Sequence, residues 1–174
     1  MDNLLNISNY RPLADMEKFK LYFKGLYSLR VKEISVLPNL FKQELIATDT
    51  TLIYIGKGER TLFERLEEEC RGKSNGTFFR GIGALLNYRP PKGSLIGMSN
   101  TNNYHFSKQD RTEIIDWMNK NLNFNFIKLE NNIEVIEKKL ISLNCPILNT
   151  THNPKKSKLL AALRKECRQI GLSK

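Results

Sequence analysis

What this 174-residue chain has little of narrows its class before any motif does. Cysteine is scarce: Cys70, Cys145 and Cys167 are an odd number, widely spaced and without a CxxC pair. That excludes a disulfide-framed scaffold and a thiolate zinc site, and the expectation is reduced thiols in a cytoplasmic protein. No apolar run is long enough to span a bilayer, so no membrane partner is expected. The opening segment MDNLLNISNYRPL has no basic start followed by an apolar stretch, so no signal peptide is expected. Gly-Lys-Gly at 56–58 lacks the remainder of a phosphate-binding loop, which excludes that kind of nucleotide site. The two histidines, His105 and His152, lie far apart in sequence and read as structural or surface residues rather than metal ligands. His152 nevertheless follows Asn149 by three residues, where a phosphate contact is conceivable. Internal repeats and long linkers are missing, which leaves one domain with an appended element.

Acidic residues are also in deficit. Eighteen Asp and Glu stand against 28 Lys and Arg, a net charge of +10, and such an excess concentrates polyanions by its field. Nucleic acid is the commonest of these. The excess is uneven: His152 to Lys174 carries Lys155, Lys156, Lys158, Arg164, Lys165, Arg168 and Lys174 against Glu166 alone. The plain structural alternative is a solvated helix with a lysine-rich face, and composition leaves both readings open. Apolar residues make up 40% of the chain, enough for a globular core.

Periodicity places the elements. KGLYSLRV (24–31) alternates as a strand, and LIATDTTLIYIG (45–56) reads as one or two strands with Asp49-Thr50 as a turn and Gly56 and Gly58 as strand-ending turn glycines. Between them KEISVLPNLFKQE reads as a polar, proline-marked connection. Thr61 caps a helix to about Arg71, with Glu64 completing a capping box. TFFRGIGALLN (77–87) is a short helix, and 89–106 is irregular. Ser107 caps a helix to Leu122, FNFIKL is a strand, and 130–144 is a helix ended by Pro146. PKKSKLLAALRKECRQIGL is a basic amphipathic helix with Leu159, Leu160 and Leu163 inward.

Two tyrosines on early strands, Tyr27 and Tyr54, an arginine on the next helix and a glutamate on a late one each have a use at a phosphodiester. A tyrosine oxygen positions or deprotonates water if nearby cations lower its pKa. Arginine binds phosphate bidentately. A carboxylate holds Mg²⁺, which otherwise keeps its waters and leans on substrate oxygens.

Gly25-Leu26-Tyr27 and Tyr54-Ile55-Gly56 resemble the paired signature of the GIY-YIG nucleases. Leu62-Phe63-Glu64-Arg65-Leu66 is similar to that family's Leu-x-x-Arg helix. EKKLISLNCPILN, Glu137 to Asn149, matches its Glu-x-x-Leu-Ile, four variable residues, Pro, two variable residues, Asn. The resemblance covers about residues 23 to 150. It implies an α+β fold around a small antiparallel β-sheet flanked by helices, with an inserted helical and loop region at about 71–105 and a basic C-terminal helix over 151–174. Residues 1–22 stand outside it as an N-terminal arm. It implies a metal-dependent endonuclease hydrolysing DNA, with 5′-phosphate and 3′-hydroxyl products. Tyr27 would be the water-activating base, helped by Tyr54 and Lys57. Arg65 would hold the scissile phosphate, Glu137 would be the protein ligand of one Mg²⁺ (or Mn²⁺), and Asn149 would organise the site by hydrogen bonds.

Three features depart from the pattern. Leu26 replaces isoleucine. The two tyrosines are 27 positions apart, wider than in compact members, so the connection is a longer hairpin or an insertion. Glu69 and Cys70 stand where members often carry His or Tyr one turn after the arginine. Arg80 is the reserve for the arginine role, and Arg80, Arg89, Lys155, Lys156, Lys158 and Arg164 are candidate nucleic-acid contacts. Phe78, Phe79 and Tyr88 have base stacking as a use, with core packing as the plainer one. The rival function is a nucleic-acid-binding module of the same fold with little or no cleavage. A single site cuts one strand, so duplex cleavage calls for a homodimer or two visits.

Overall fold

Alternation of apolar residues at Tyr27, Leu29 and Val31 makes the central strand, and the structure is organised around it. The computed structural model describes residues 2–47, 50–73 and 76–174. In chain order come α1 (Asp2–Leu5), a 3-10 turn (Ile7–Asn9), β1 (Arg11–Pro12), a second 3-10 turn (Leu13–Lys18) and β2 (Gly25–Val31). A third 3-10 turn (Ile34–Val36) leads to α2 (Asn39–Ile46), β3 (Leu52–Gly58), α3 (Leu62–Cys70) and α4 (Thr77–Leu85). After an irregular segment follow α5 (Lys108–Asn121), β4 (Leu122–Lys128), α6 (Ile133–Asn144) and α7 (Lys158–Leu172). The four strands form one sheet in the order β1-β4-β2-β3, every pairing antiparallel. The fold is therefore α+β, a small antiparallel sheet flanked by helices.

The two faces of the sheet carry separate apolar clusters. Tyr27, Leu29, Val31, Tyr54 and Phe124 belong to the larger one, with side chains of α3, α4 and α5. Leu26, Leu52 and Ile55 belong to the smaller one, with Leu4 of α1 and Leu140 and Ile141 of α6. Each fully buried Leu or Phe contributes about 1.5–3 kcal/mol of transfer free energy, so the larger face dominates stability. The N-terminal segment is tied to the smaller face: Leu4 O accepts from Ser28 Oγ at 3.0 Å and Asn125 Nδ2 at 2.8 Å, and β1 extends the sheet beyond β4.

Two expectations change. The proline-marked connection between the strands is an insertion that carries the helix α2, the second of the two alternatives, and Leu45 and Ile46 close that helix instead of starting a strand. Only Phe41 and Leu45 of α2 are buried, four residues apart, too short an apolar repeat to stand out in sequence. The turn expected at Asp49-Thr50 lies partly outside the described residues. Gly56 lies within β3 and does not end it, while Gly58 is its last residue. The caps at Thr61, Ser107 and Ser157 accept from Glu64 N, Asp110 N and Leu160 N. Cys145 closes α6 in the left-handed region, φ 47°, just before Pro146. Of the expected inner face of α7, Leu160 is buried, together with Cys167 and Gly171.

Candidate active site

β3 is an edge strand, and the site is built around that edge. A β-bulge between Leu29 and Arg30 of β2 and the facing residues of β3 puts Ile53 and Tyr54 in the same cluster. Tyr54 thereby turns toward α3, its ring 4.9 Å from Phe78 of α4. Tyr27 lies opposite Gly56 in the register. A Cβ on Gly56 would sit 2.5 Å from the Tyr27 hydroxyl, so the glycine makes room for the phenol and is not a turn residue. Tyr27 is fully buried, its ring 6.1 Å from that of Tyr54, and its hydroxyl has no hydrogen-bond partner among the described residues. Buried polar groups are rarely left so. Burial pushes the pKa of both phenols above the usual value, the charge of Glu69 adding to the effect and Arg65 opposing it. The cationic surroundings expected to lower the Tyr27 pKa are outweighed by desolvation.

The outer edge of β3 is closed without another strand. Leu148 N donates to Ile53 O at 2.9 Å. The Asn149 amide then grips Ile55 on both sides, Nδ2 donating to its carbonyl and Oδ1 accepting from its N–H, each at 2.9 Å. An unpaired edge would leave these groups open to another chain. The Glu-to-Asn spacing thus brings a strand mimic back from the end of α6 to β3.

On one side of this edge stands α3. Arg65 donates through Nη1 to Glu68 at 3.0 Å and through Nη2 to Glu69. Glu69 is completely buried and also accepts from Phe78 N at 2.8 Å and Phe79 N at 3.3 Å, in the first turn of α4. A carboxylate is well placed there, because it meets free N–H groups and the positive end of the helix. Burial raises the Glu69 pKa against the pull of Arg65 and these N–H groups. Gly76 is required by the same contact, since a Cβ there would lie 2.0 Å from Glu69 Oε2. Glu69 is the residue the sequence reading missed as a site component. Its signal was present: a charged residue one turn after Arg65 on a helix whose Leu62, Leu66 and Cys70 are buried.

On the other side stands α6 with Glu137. Its side chain is 15% exposed and faces Lys57 of β3, Nζ to Oε2 3.9 Å. Lys57 also donates to Glu59 at 2.8 Å. Burial raises the Glu137 pKa, with Lys57 and then Arg65 opposing. Two adjoining clefts of about 540 and 230 Å³ meet here, and Tyr54, Lys57, Arg65 and Glu137 line both. Asn149, Thr150 and His152 add to the smaller one. Tyr27 lines neither, because it sits on the central strand while Tyr54 sits on the edge. The structure therefore brings together Tyr54, Lys57, Arg65, Glu137 and Asn149, with Tyr27 behind them.

The candidate nucleic-acid residues separate. Arg80 is buried in α4, donating to Asn103 at 2.5 Å and lying over the Tyr104 ring, away from both clefts' linings. Arg89 is held by Glu166 at 2.9 Å and by the carbonyls of Ala84 and Tyr88, which ties the end of α4 to α7. Lys155 and Lys158 border a recess with Glu44 and Cys145, while Arg164 borders a different groove and Lys156 touches both. Phe78 and Phe79 are core residues, and the Tyr88 hydroxyl donates to Glu113.

Glu137 is the least exposed carboxylate lining the clefts, and only Lys57 meets it among the described residues. No group of three His, Cys, Asp or Glu side chains forms a cage there, among the described residues. A single half-buried carboxylate beside a phenol oxygen suits a hard cation that keeps its waters, Mg²⁺ or Mn²⁺, and not zinc. No described helix is long and apolar enough to cross a membrane.

Searches of the curated proteins and of the solved structures find no match to this chain. The model of the GIY-YIG catalytic domain matches residues 25–169, so it takes in β2 and β3 with their two tyrosines, α3, α6 with Glu137, and most of α7. The chain belongs to the GIY-YIG catalytic domain family.

Proposed function

We propose that this protein is a metal-dependent endonuclease that hydrolyses phosphodiester bonds of DNA. One observation carries the reading: Tyr54, Lys57, Arg65 and Glu137, from β3, α3 and α6, line the same paired cleft. Arg65 binds the scissile phosphate, exchanging part of its hold on Glu68, which is 30% exposed, while the buried Glu69 keeps the guanidinium aimed. Lys57 adds a second cation at the phosphate. Glu137 holds Mg²⁺ or Mn²⁺, which when bound balances charge on the phosphate and lowers the pKa of nearby oxygens. Tyr54 faces the cleft and orients the attacking water with its hydroxyl. Tyr27 supports it with a hydroxyl that has no hydrogen-bond partner among the described residues. Both phenols are neutral until the cation and substrate are in place, so base action by Tyr27 belongs to the loaded complex. Asn149 positions β3 and touches no reacting group. The protein's working compartment is proposed as the cytoplasm, and cleavage of both strands as the work of a homodimer or two visits.

The test is cleavage of labelled single-stranded DNA, duplex DNA and RNA with Mg²⁺, Mn²⁺ or EDTA, beside Glu137→Ala. Cutting that needs the metal and fails in the variant is the expected outcome. A folded wild type that binds steeply with falling salt and cuts none of them would replace the nuclease by a binding module of the same fold.

A further inference from the structure

α7 presents two unlike faces. Glu166, the only acid in this helix, is turned to Arg89. Ala161, Arg164, Lys165 and Arg168, spaced as one helical face, border a groove of about 370 Å³ with Lys156 before them and Asn102 and Tyr104 across. No acid lines this groove, and no ion pair engages Lys156, Arg164, Lys165 or Arg168 among the described residues. Arg168 reaches over it to Thr101 Oγ1 at 3.0 Å, which ties the 99–104 segment down as the far wall. Thr150 lines both this groove and the smaller active-site cleft, so the two adjoin there. Arg80 stands at the seam, donating to Asn103 on the groove side and to Thr77 Oγ1, which lines the cleft. Burial and then the Arg164 charge lower its pKa, with Tyr104 and Glu69 opposing.

We propose that this groove is the track of the substrate strand leaving the cleft, its phosphates taken by Lys156, Arg164, Lys165 and Arg168. The inference rests on the nuclease reading and adds a direction to it: the strand runs from Arg65 past Thr150 and along α7. The face from Ser157 to Arg168 measures about 16 Å at 1.5 Å per residue. At about 3.4 Å of duplex axis per phosphate of one strand, that covers four to five nucleotides. Arg164, Lys165 and Arg168 project from a packed helix rather than from a loose tail, so they present phosphates with a fixed row. Lys155 and Lys158 point to the recess beside Glu44, off this track.

The test uses the full chain carrying Glu137→Ala, with fluorescent duplexes and single strands of graded length, and reads the slope of log affinity against log salt. On this background the triple variant Arg164→Ala/Lys165→Ala/Arg168→Ala lowers the slope by about 2 to 3, at about 0.9 per lost contact on duplex and 0.7 on single strand. Affinity also stops growing with length once the oligonucleotide fills the cleft. Lys155→Ala/Lys158→Ala changes the slope by less than one contact. Circular dichroism checks that α7 persists in each variant. If the two variants lower the slope in proportion to the charges removed, the attraction is diffuse and the track is overturned. If wild type cuts with metal while the triple variant keeps slope and length dependence, the track falls and the nuclease stands. If wild type cuts nothing but the triple variant loses both, the track stands and the nuclease falls.

Discussion

The cleft at the β3 edge and the groove along α7 are both charged, yet they treat charge in opposite ways. In the cleft every cation has a carboxylate: Arg65 has Glu68 and Glu69, and Lys57 has Glu59 and Glu137. In the groove the cations have none among the described residues. Paired, half-buried charges gain little net stability, but they hold direction. Charges without a carboxylate are placed only by the backbone that carries them, and they act over a Debye length of about 8–10 Å. The molecule therefore separates aiming from attraction, and the four cations of the groove serve the second task.

The sharpest way to break this comparison is at Glu137. Glu137→Ala is expected to lower the cleavage rate by about 10³-fold or more, since charge balance at the phosphate is worth several kcal/mol, while affinity measured in EDTA changes little. Cleavage within tenfold of wild type would place the metal elsewhere. Arg65→Lys keeps the charge but loses the fork that spans Glu69 and phosphate. The rate at saturating substrate should fall about 10²-fold, as for loss of one aimed donor. A change in KM alone would make Arg65 another attracting charge, like those of the groove.

Gly56→Ala tests whether Tyr27 is held by packing. Its Cβ meets the phenol, and overpacking of this kind costs about 1–3 kcal/mol, read as a fall in Tm. An unchanged Tm would show that Tyr27 can swing aside. Asn149→Ala removes both hydrogen bonds to Ile55 at once, at about 1–2 kcal/mol. The urea midpoint should drop with the m-value unchanged; no drop would mean that water replaces the amide at the strand edge.

The smallest effect concerns pH. The Glu137 carboxyl is raised by burial in the folded state, so the fold favours its protonated form. Its contribution to stability is complete below the usual carboxylate range and is lost as pH rises through the folded pKa. Glu137→Gln should consequently be more stable than wild type at neutral pH in metal-free buffer, with the gap closing toward acid. Thermal melts across pH check this, and a gap that widens toward acid would mean that Lys57 outweighs desolvation.

The β2 and β3 strands, α3, α5, α6 and α7 were legible because each carries its own period or cap, and the four motifs located Tyr54, Arg65, Glu137 and Asn149 through fixed spacings. What was not legible depended on contacts between distant segments. α2 escaped because two buried residues in eight make a weak pattern. Arg89 looked like any exposed arginine until Glu166, 77 positions on, met it. Glu69 looked like one acid among several on α3 until the start of α4 folded over it. The basic tail read as one uniform patch, although its lysines divide between two recesses.

The sequence by itself determined the family, the antiparallel strand pair that carries the tyrosines, the helices with their caps, and the excess of positive charge. These are local or spacing properties, written in neighbouring residues. Only the tertiary structure decided that Tyr54 faces the cleft while Tyr27 lies behind it, that Asn149 closes the edge of β3, and that Glu69 joins Arg65 to α4. It also decided which cations stay open along α7. Access, burial and pairing depend on which surfaces the packed core leaves facing one another, and no local period records that.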